Sequence, residues 1–109
     1  MNDAVRAIGA VDRLIHEPGR LMLVALLYAV EGADFLYLLR ESGMTKGNLS
    51  THLAKLEDAG YVEIVKSFRG KIPHTLVLLT PEGRGAFDRY RAHLKSITTT
   101  LDAPPTAQT

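Results

Sequence analysis

The stretch Met44–Tyr61, M-T-K-G-N-L-S-T-H-L-A-K-L-E-D-A-G-Y, most narrows what this chain can fold into. Leu49, Leu53 and Leu56 stand at i, i+4 and i+7 with Ala59 beside them, so one stripe of a helix is apolar and faces a core. Gly47, Asn48, Ser50, Thr51 and Lys55 on the opposite stripe are short or hydrogen-bonding, which lets this face come close to another polar surface. Thr45 can cap the first turn, and Gly60 can end the helix in the left-handed conformation. Upstream, Asp34 to Glu41 reads as a short helix stopped at Gly43, which leaves about three residues between the two helices. Two helices joined by so short a glycine-containing turn form a helix-turn-helix, whose second helix is the element that enters a DNA major groove.

The flanking segments fit around that pair. Ala4 to His16 places Ala4, Ala7, Ile8, Val11, Leu14 and Ile15 on one face and predicts an amphipathic helix ended by Glu17-Pro18-Gly19. That helix packs on its own domain or also against a second subunit. Arg20 to Glu31 predicts a helix whose middle, L-M-L-V-A-L-L-Y-A-V, has no polar face. Such a helix is the centre of a core or contributes to a dimer interface. Tyr61 to Phe68 alternates and is rich in β-formers, and Thr75 to Leu79 is a second short strand. Between them R-G-K-I-P-H suits a hairpin loop longer than the two-residue type.

A helix-turn-helix followed by a hairpin with a basic tip is a winged helix. Thr80-Pro81-Glu82 then opens the last helix with a capping hydroxyl, a proline at the first helical position and an acid in the first turn. Phe87, Tyr90, Leu94, Ile97 and Leu101 follow at alternating spacings of three and four, a narrow seam that suits self-association or packing on the chain's own domain. Thr98-Thr99-Thr100 is a poor helix end. The expected fold is mainly α with a small β-hairpin (α+β): a winged helix-turn-helix with a three-helix core, a wing, and flanking N- and C-terminal helices. It forms a single domain over residues 1–101 with a disordered tail over 102–109.

Composition removes most other functions. The chain of 109 residues has no cysteine, which excludes disulfide frameworks, thiolate nucleophiles and Cys-ligated zinc. The apolar run Leu21–Val30 is half of the roughly 20 residues a bilayer span needs. Met1-Asn2-Asp3 lacks the start of a signal peptide, and a cytoplasmic protein is expected. His16, His52, His74 and His93 fall in different elements, and no nucleophile elbow, phosphate loop or metal-spaced pair occurs. No enzyme, cofactor or metal site is therefore expected. Net charge is only +1, yet residues 45–74 hold five Lys/Arg against three Asp/Glu while residues 1–44 hold four against six. The positive excess sits on the second helix of the pair and the hairpin.

Four strings resemble the winged-helix transcriptional regulators related to the MarR and ArsR families. These are H-E-P-G-R-L-M-L at His16–Leu23, G-N-L-S-T-H-L-A-K-L-E-D-A-G-Y-V at Gly47–Val62, F-R-G-K-I-P-H-T at the wing and L-T-P-E-G-R at Leu79–Arg84. The second is the specific one. The resemblance implies a homodimeric regulator that binds double-stranded DNA, often as a repressor. It would place Lys46, Asn48, Ser50, Thr51, His52 and Lys55 on the DNA-facing side of the recognition helix and Arg69 and Lys71 at the wing tip. Cysteine and acidic or histidine clusters of the ArsR metal sensors are missing, so metal sensing is not carried over. The helical extensions that build the ligand pocket of larger MarR proteins are short or absent, and no small-molecule effector is assigned.

The residues themselves suit that use. Asn pairs with adenine, Ser and Thr with several bases, and the Thr51 methyl can meet a thymine methyl. Lys46, in the first turn beside Thr45 and Gly47, opposes the helix dipole and makes more sense facing a phosphate. Arg69 and Lys71 flank Gly70 and would hold the backbone or the minor groove. The dimer seam would be Phe87, Tyr90, Leu94, Ile97 and Leu101. The competing reading is a winged helix serving as a protein-interaction module without DNA binding, favoured by the near-neutral charge.

Overall fold

A computed structural model describes residues 3–109; Met1, Asn2 and the side chain of Ala4 lie outside the described residues. The expected long first helix is a single turn, α1 (Asp3–Arg6), running into a 3-10 turn at Ala7–Ala10. Val11 is then extended. The cause is local competition for backbone donors. The Asp12 carboxylate accepts from the amides of Leu14 and Ile15 at 2.9 and 3.2 Å, and this turn replaces the helical ladder. Its other oxygen accepts the Tyr61 hydroxyl at 2.5 Å, which together with burial pushes the Tyr61 phenol up to about 12. Val11 and Ile15 are buried as expected, but Ile8 is 48% exposed.

Glu17-Pro18-Gly19 starts the next helix instead of ending the first. In α2 (Pro18–Tyr28) the Glu17 side chain caps the amides of Gly19 and Arg20 at 3.0 and 2.8 Å, with Pro18 at the first position. Those two amides hold the Glu17 carboxyl below the usual range. Leu23, Val24 and Leu27 are fully buried, whereas Met22 on the other side is 43% exposed. The helix is central to the core on one side only.

Chain order continues through β1 (Ala33–Asp34), α3 (Phe35–Ser42), α4 (Lys46–Asp58), β2 (Val62–Arg69), β3 (Ile72–Leu79) and α5 (Pro81–Leu101). Asp34 caps α3, Gly43 ends it at φ 68°, Thr45 caps α4 and Gly60 follows it at φ 79°. The strand β1 had no signature of its own, because two residues carry no alternation. It pairs antiparallel with β3, Ala33 opposite Val77, giving the sheet order β1-β3-β2 among the described residues.

The hairpin is tighter than its composition suggested. Arg69 pairs with Ile72, so only Gly70 and Lys71 form the turn, and Gly70 takes the positive φ of 64° that such a turn needs. Pro73 lies inside β3 opposite Phe68. The last helix runs through Thr98-Thr99-Thr100 to Leu101, the Thr98 and Thr100 hydroxyls donating to the carbonyls of Leu94 and Ser96 one turn back. The long axis of 68 Å against 25 and 21 Å includes α5 and the irregular residues 104–109 after it.

The core joins α2, α3, α4, the sheet and the first half of α5 through Leu23, Leu27, Leu38, Leu49, Leu56, Val77 and Tyr90. Gly83 is buried where α5 meets the start of β2. A Cβ there would lie 2.2 Å from the Tyr61 carbonyl oxygen, which accepts the Thr80 amide at 3.0 Å. Gly83→Ala should therefore cost about 3 kcal/mol of stability, the upper part of the overpacking range, measured by urea unfolding. Glu17 gives a pH signature. Its folded pKa is depressed from 4.5, so its contribution is complete above that value and is lost as pH falls through the lower folded pKa. Urea titrations between pH 7 and pH 3 should show a smaller acid loss for Glu17→Gln than for the parent chain.

Candidate nucleic-acid interface

The apolar underside of α4 fixes which side looks out. Leu49, Leu53 and Leu56 are between 0 and 2% exposed. Lys46, Gly47, Asn48, Ser50, Thr51 and Lys55 all lie on the exposed side, with Thr45 at its start. Thr45 Oγ1 accepts the Asn48 amide at 3.1 Å. The Thr51 hydroxyl donates to the Gly47 carbonyl at 2.9 Å, so it presents only lone pairs and its methyl outward. Among the described residues, the side chains of Lys46, Asn48, Ser50 and Lys55 have no hydrogen bond or ion pair within the chain. A Cβ on Gly47 would meet nothing within 4 Å.

His52 departs from this group. Its side chain is 20% exposed and turned toward the start of α2. The Arg20 guanidinium lies 3.3 Å from His52 Nδ1 and donates through its Nε to the Leu14 carbonyl at 2.6 Å. The Glu17 carboxylate is 3.7 Å from both the guanidinium and the same ring nitrogen. A Cβ on Gly19 would stand 2.7 Å from His52 Nε2. The ring is thus wedged between two helices, the packed state that its place at the edge of the apolar stripe suits, and the DNA-facing role that the resemblance implies for it has a physical competitor in Arg20 and Glu17. Neither partner was identified from sequence, although Glu17 before Pro18 carries the same acceptor-proline signal as Thr80 before Pro81.

The wing stands beside α4. Its near face and the helix enclose a groove of about 410 Å³ lined by Ser50, Leu53, Ala54 and Glu57 of α4, Ile64, Lys66 and Thr75 of the hairpin, and Phe35 of α3. Arg69 and Lys71 are exposed at the tip on either side of Gly70. Sequence reasoning missed the company they keep: Phe68 and Ile72, just inside them, are 71% and 69% exposed.

The seam of α5 is largely consumed inside the chain. Phe87 packs edge-on to Tyr28 at 5.1 Å, and the Tyr90 hydroxyl shares a 2.8 Å hydrogen bond with His16 Nδ1. Burial raises the Tyr90 phenol pKa. Ile97 is buried and Leu94 half-buried, leaving Leu101 open at 64% exposure. Within the chain, Phe87, Tyr90 and Ile97 thus follow the own-domain packing that the narrow seam equally suited.

Comparison with known proteins agrees with this architecture. Residues 20–98 match the model of the winged helix DNA-binding domain. An uncharacterised protein of Methanocaldococcus jannaschii is 39% identical over 79 residues, covering 72% of this chain and 85% of that one. The transcriptional regulator homologue protein from Pyrococcus horikoshii superposes with a TM-score of 0.84 at 26% identity, over 94% of this chain and 100% of that one. A MarR-family regulator from Enterococcus faecalis shares the fold, with a TM-score of 0.73 at 22% identity over 94% and 92% of the two chains. No helix among the described residues is long and apolar enough to cross a membrane. With most of its length matched, the chain belongs to the winged helix DNA-binding domain family and is a winged-helix relative of transcriptional regulators.

Proposed function

We propose that this chain represses transcription as a homodimer that binds a pseudo-palindromic operator. The observation that carries the reading is the outer face of α4: a row of small polar and basic side chains without partners in the chain, on a helix anchored underneath by Leu49, Leu53 and Leu56. Two such helices enter successive major grooves about 34 Å apart. Asn48, Ser50 and Thr51 read base edges, while Lys46, Lys55, Arg69 and Lys71 hold phosphates and set the register. Thr45 keeps its capping role at the edge of the same surface. Gly47 lets the backbone approach. His52 acts at one remove, fixing the rotation of α4 through Arg20 and Glu17.

The partner copy meets the apolar groups that the fold leaves open near the two ends of the chain. Leu101, with Leu94 at the margin, lies on α5, and Val5 and Ile8 lie on the N-terminal turns that pack against it. Phe87, Tyr90 and Ile97 hold that helix in place from inside.

The deciding experiment is a fluorescence-anisotropy titration on duplex DNA from upstream of the protein's own gene, beside a shuffled duplex, at low and physiological salt. Tighter binding to the native duplex with a steep salt slope is expected. No binding to either at low salt sends the function to a partner protein. On the native duplex, replacing Arg69 and Lys71 together by Ala should weaken binding to all sequences and reduce the salt slope by about 2. Asn48→Ala should instead lose roughly 1–3 kcal/mol of discrimination at particular base pairs. Identical, sequence-independent losses would refute this division of roles. Gly47→Ala separates folding from binding: with open space for the methyl, it should raise helix stability by about 0.5–1 kcal/mol. The same methyl should weaken operator binding at the face it occupies, read by thermal unfolding and anisotropy on one preparation.

A further inference from the structure

The tip of the wing carries an arrangement that charge alone does not explain. Phe68 and Ile72 are the most exposed of the large apolar side chains among the described residues, and they bracket the tip Arg69-Gly70-Lys71. Their pairing assigns faces. Phe68 stands opposite Pro73 and, by strand alternation, shares its face with Ile64, Lys66 and Thr75, the three hairpin residues that line the groove beside α4. Ile72 stands opposite Arg69 on the other face. Phe68 therefore extends, toward the tip, the same side of the hairpin that looks onto the recognition helix.

Charge identifies what covers this apolar tip. From Ile64 to Pro81 the chain has Lys66, Arg69 and Lys71 and no aspartate or glutamate. An aromatic ring beside Arg69 and Lys71, neither of them ion-paired among the described residues, fits a surface that is apolar within and anionic outside. A duplex is such a surface: stacked bases and sugars lie between two phosphate rows, and apolar wedges entering the minor groove unstack a base step and bend the helix. A hairpin closed by a two-residue turn is narrow enough to enter that groove.

We infer that Phe68 is a wedge of the wing, seated in the minor groove of duplex DNA between phosphates held by Arg69 and Lys71, with Ile72 against the opposite wall. The inference rests on the DNA-binding reading above. It adds a contact that depends on how readily a base step opens, so the wing would select flexible pyrimidine–purine steps without hydrogen-bonding to any base.

The test uses the full-length chain and an operator-containing duplex with fluorophores at its ends, so that affinity and bend angle are read together. Phe68→Ala removes no charge, and at 71% exposure it removes little from the folded core; an unchanged thermal midpoint confirms that. About a tenfold loss of affinity is expected, with an unchanged salt slope and a smaller bend, while Phe68→Leu retains most of both. The Arg69→Ala, Lys71→Ala double variant should instead lower the salt slope. If Phe68→Ala binds and bends the duplex as the parent chain does, the wedge is overturned while the regulator reading stands. If the parent chain binds no duplex, the regulator reading falls and takes the wedge with it. Two further outcomes would overturn the wedge by giving the tip another occupant. One is Phe68-dependent binding to phosphatidylserine–phosphatidylcholine vesicles with duplex binding indifferent to Phe68. The other is a Phe68-dependent change of oligomeric state in sedimentation, again with duplex binding unaffected.

Discussion

A helix can offer a polar face to another molecule only if its remaining surface is enough to hold it. In α4 that surface is Leu49, Leu53 and Leu56, each removed from water almost completely. Burying a leucine contributes roughly 1.5–3 kcal/mol, so three of them outweigh the modest helix propensity of a segment beginning Lys-Gly-Asn. The rest of the fold can be understood as what it takes to cover that stripe. The helices α2 and α3 and strand β2 pack on α4, with Leu23, Leu27 and Leu38 in the shared core, and α2 and β3 in turn carry α5 with Tyr90 in the same cluster. The Glu17, Arg20 and His52 cluster adds a polar constraint that apolar packing does not provide, since close-packed leucines tolerate small rotations better than a ring held between two charged groups does.

Much of this was legible because its causes are local. The caps of α4 and α5, the glycines that follow α3 and α4, and the leucine stripe each depend on a few neighbouring residues. The winged helix-turn-helix, its basic wing tip and the exposure of Lys46, Asn48, Ser50, Thr51 and Lys55 follow from them. The likeness to winged-helix regulators, read chiefly from the string Gly47–Val62, is matched by the winged helix DNA-binding domain model and by the Pyrococcus horikoshii regulator homologue.

What escaped the sequence depends on partners distant in the chain. Asp12 breaks the first helix, and its partner is Tyr61. His52 carries no local sign that Glu17 and Arg20, more than thirty residues earlier, will claim its ring. Phe87 and Tyr90 have the spacing of a self-associating seam, but a seam satisfied by Tyr28 and His16 has the same spacing. Periodicity reports that a face is apolar and is silent on whose apolar surface meets it. The hairpin loop was misjudged for a simpler reason: Pro73 looked like part of a turn, whereas a proline opposite Phe68 fits within a strand near its end.

The short strand β1 gives the wing its mechanics. It clamps β3 at Val77 and Leu76, so the inner part of the hairpin is fixed to the body of the protein. Beyond that clamp the hairpin runs on for four residue pairs. Thr75 and His74 still lie against the body, with His74 Nε2 3.9 Å from the Asp34 carboxylate, and the outer pairs Phe68–Pro73 and Arg69–Ile72 form a tip about 7 Å long at strand spacing. A force on the tip is delivered to the root of the beam, and at that root is Asp34. The same residue ends β1 and caps the first turn of α3. Load taken up by the wing thus arrives at the helix that precedes the recognition helix through the β1–β3 pairing, whose Ala33 and Val77 belong to the core.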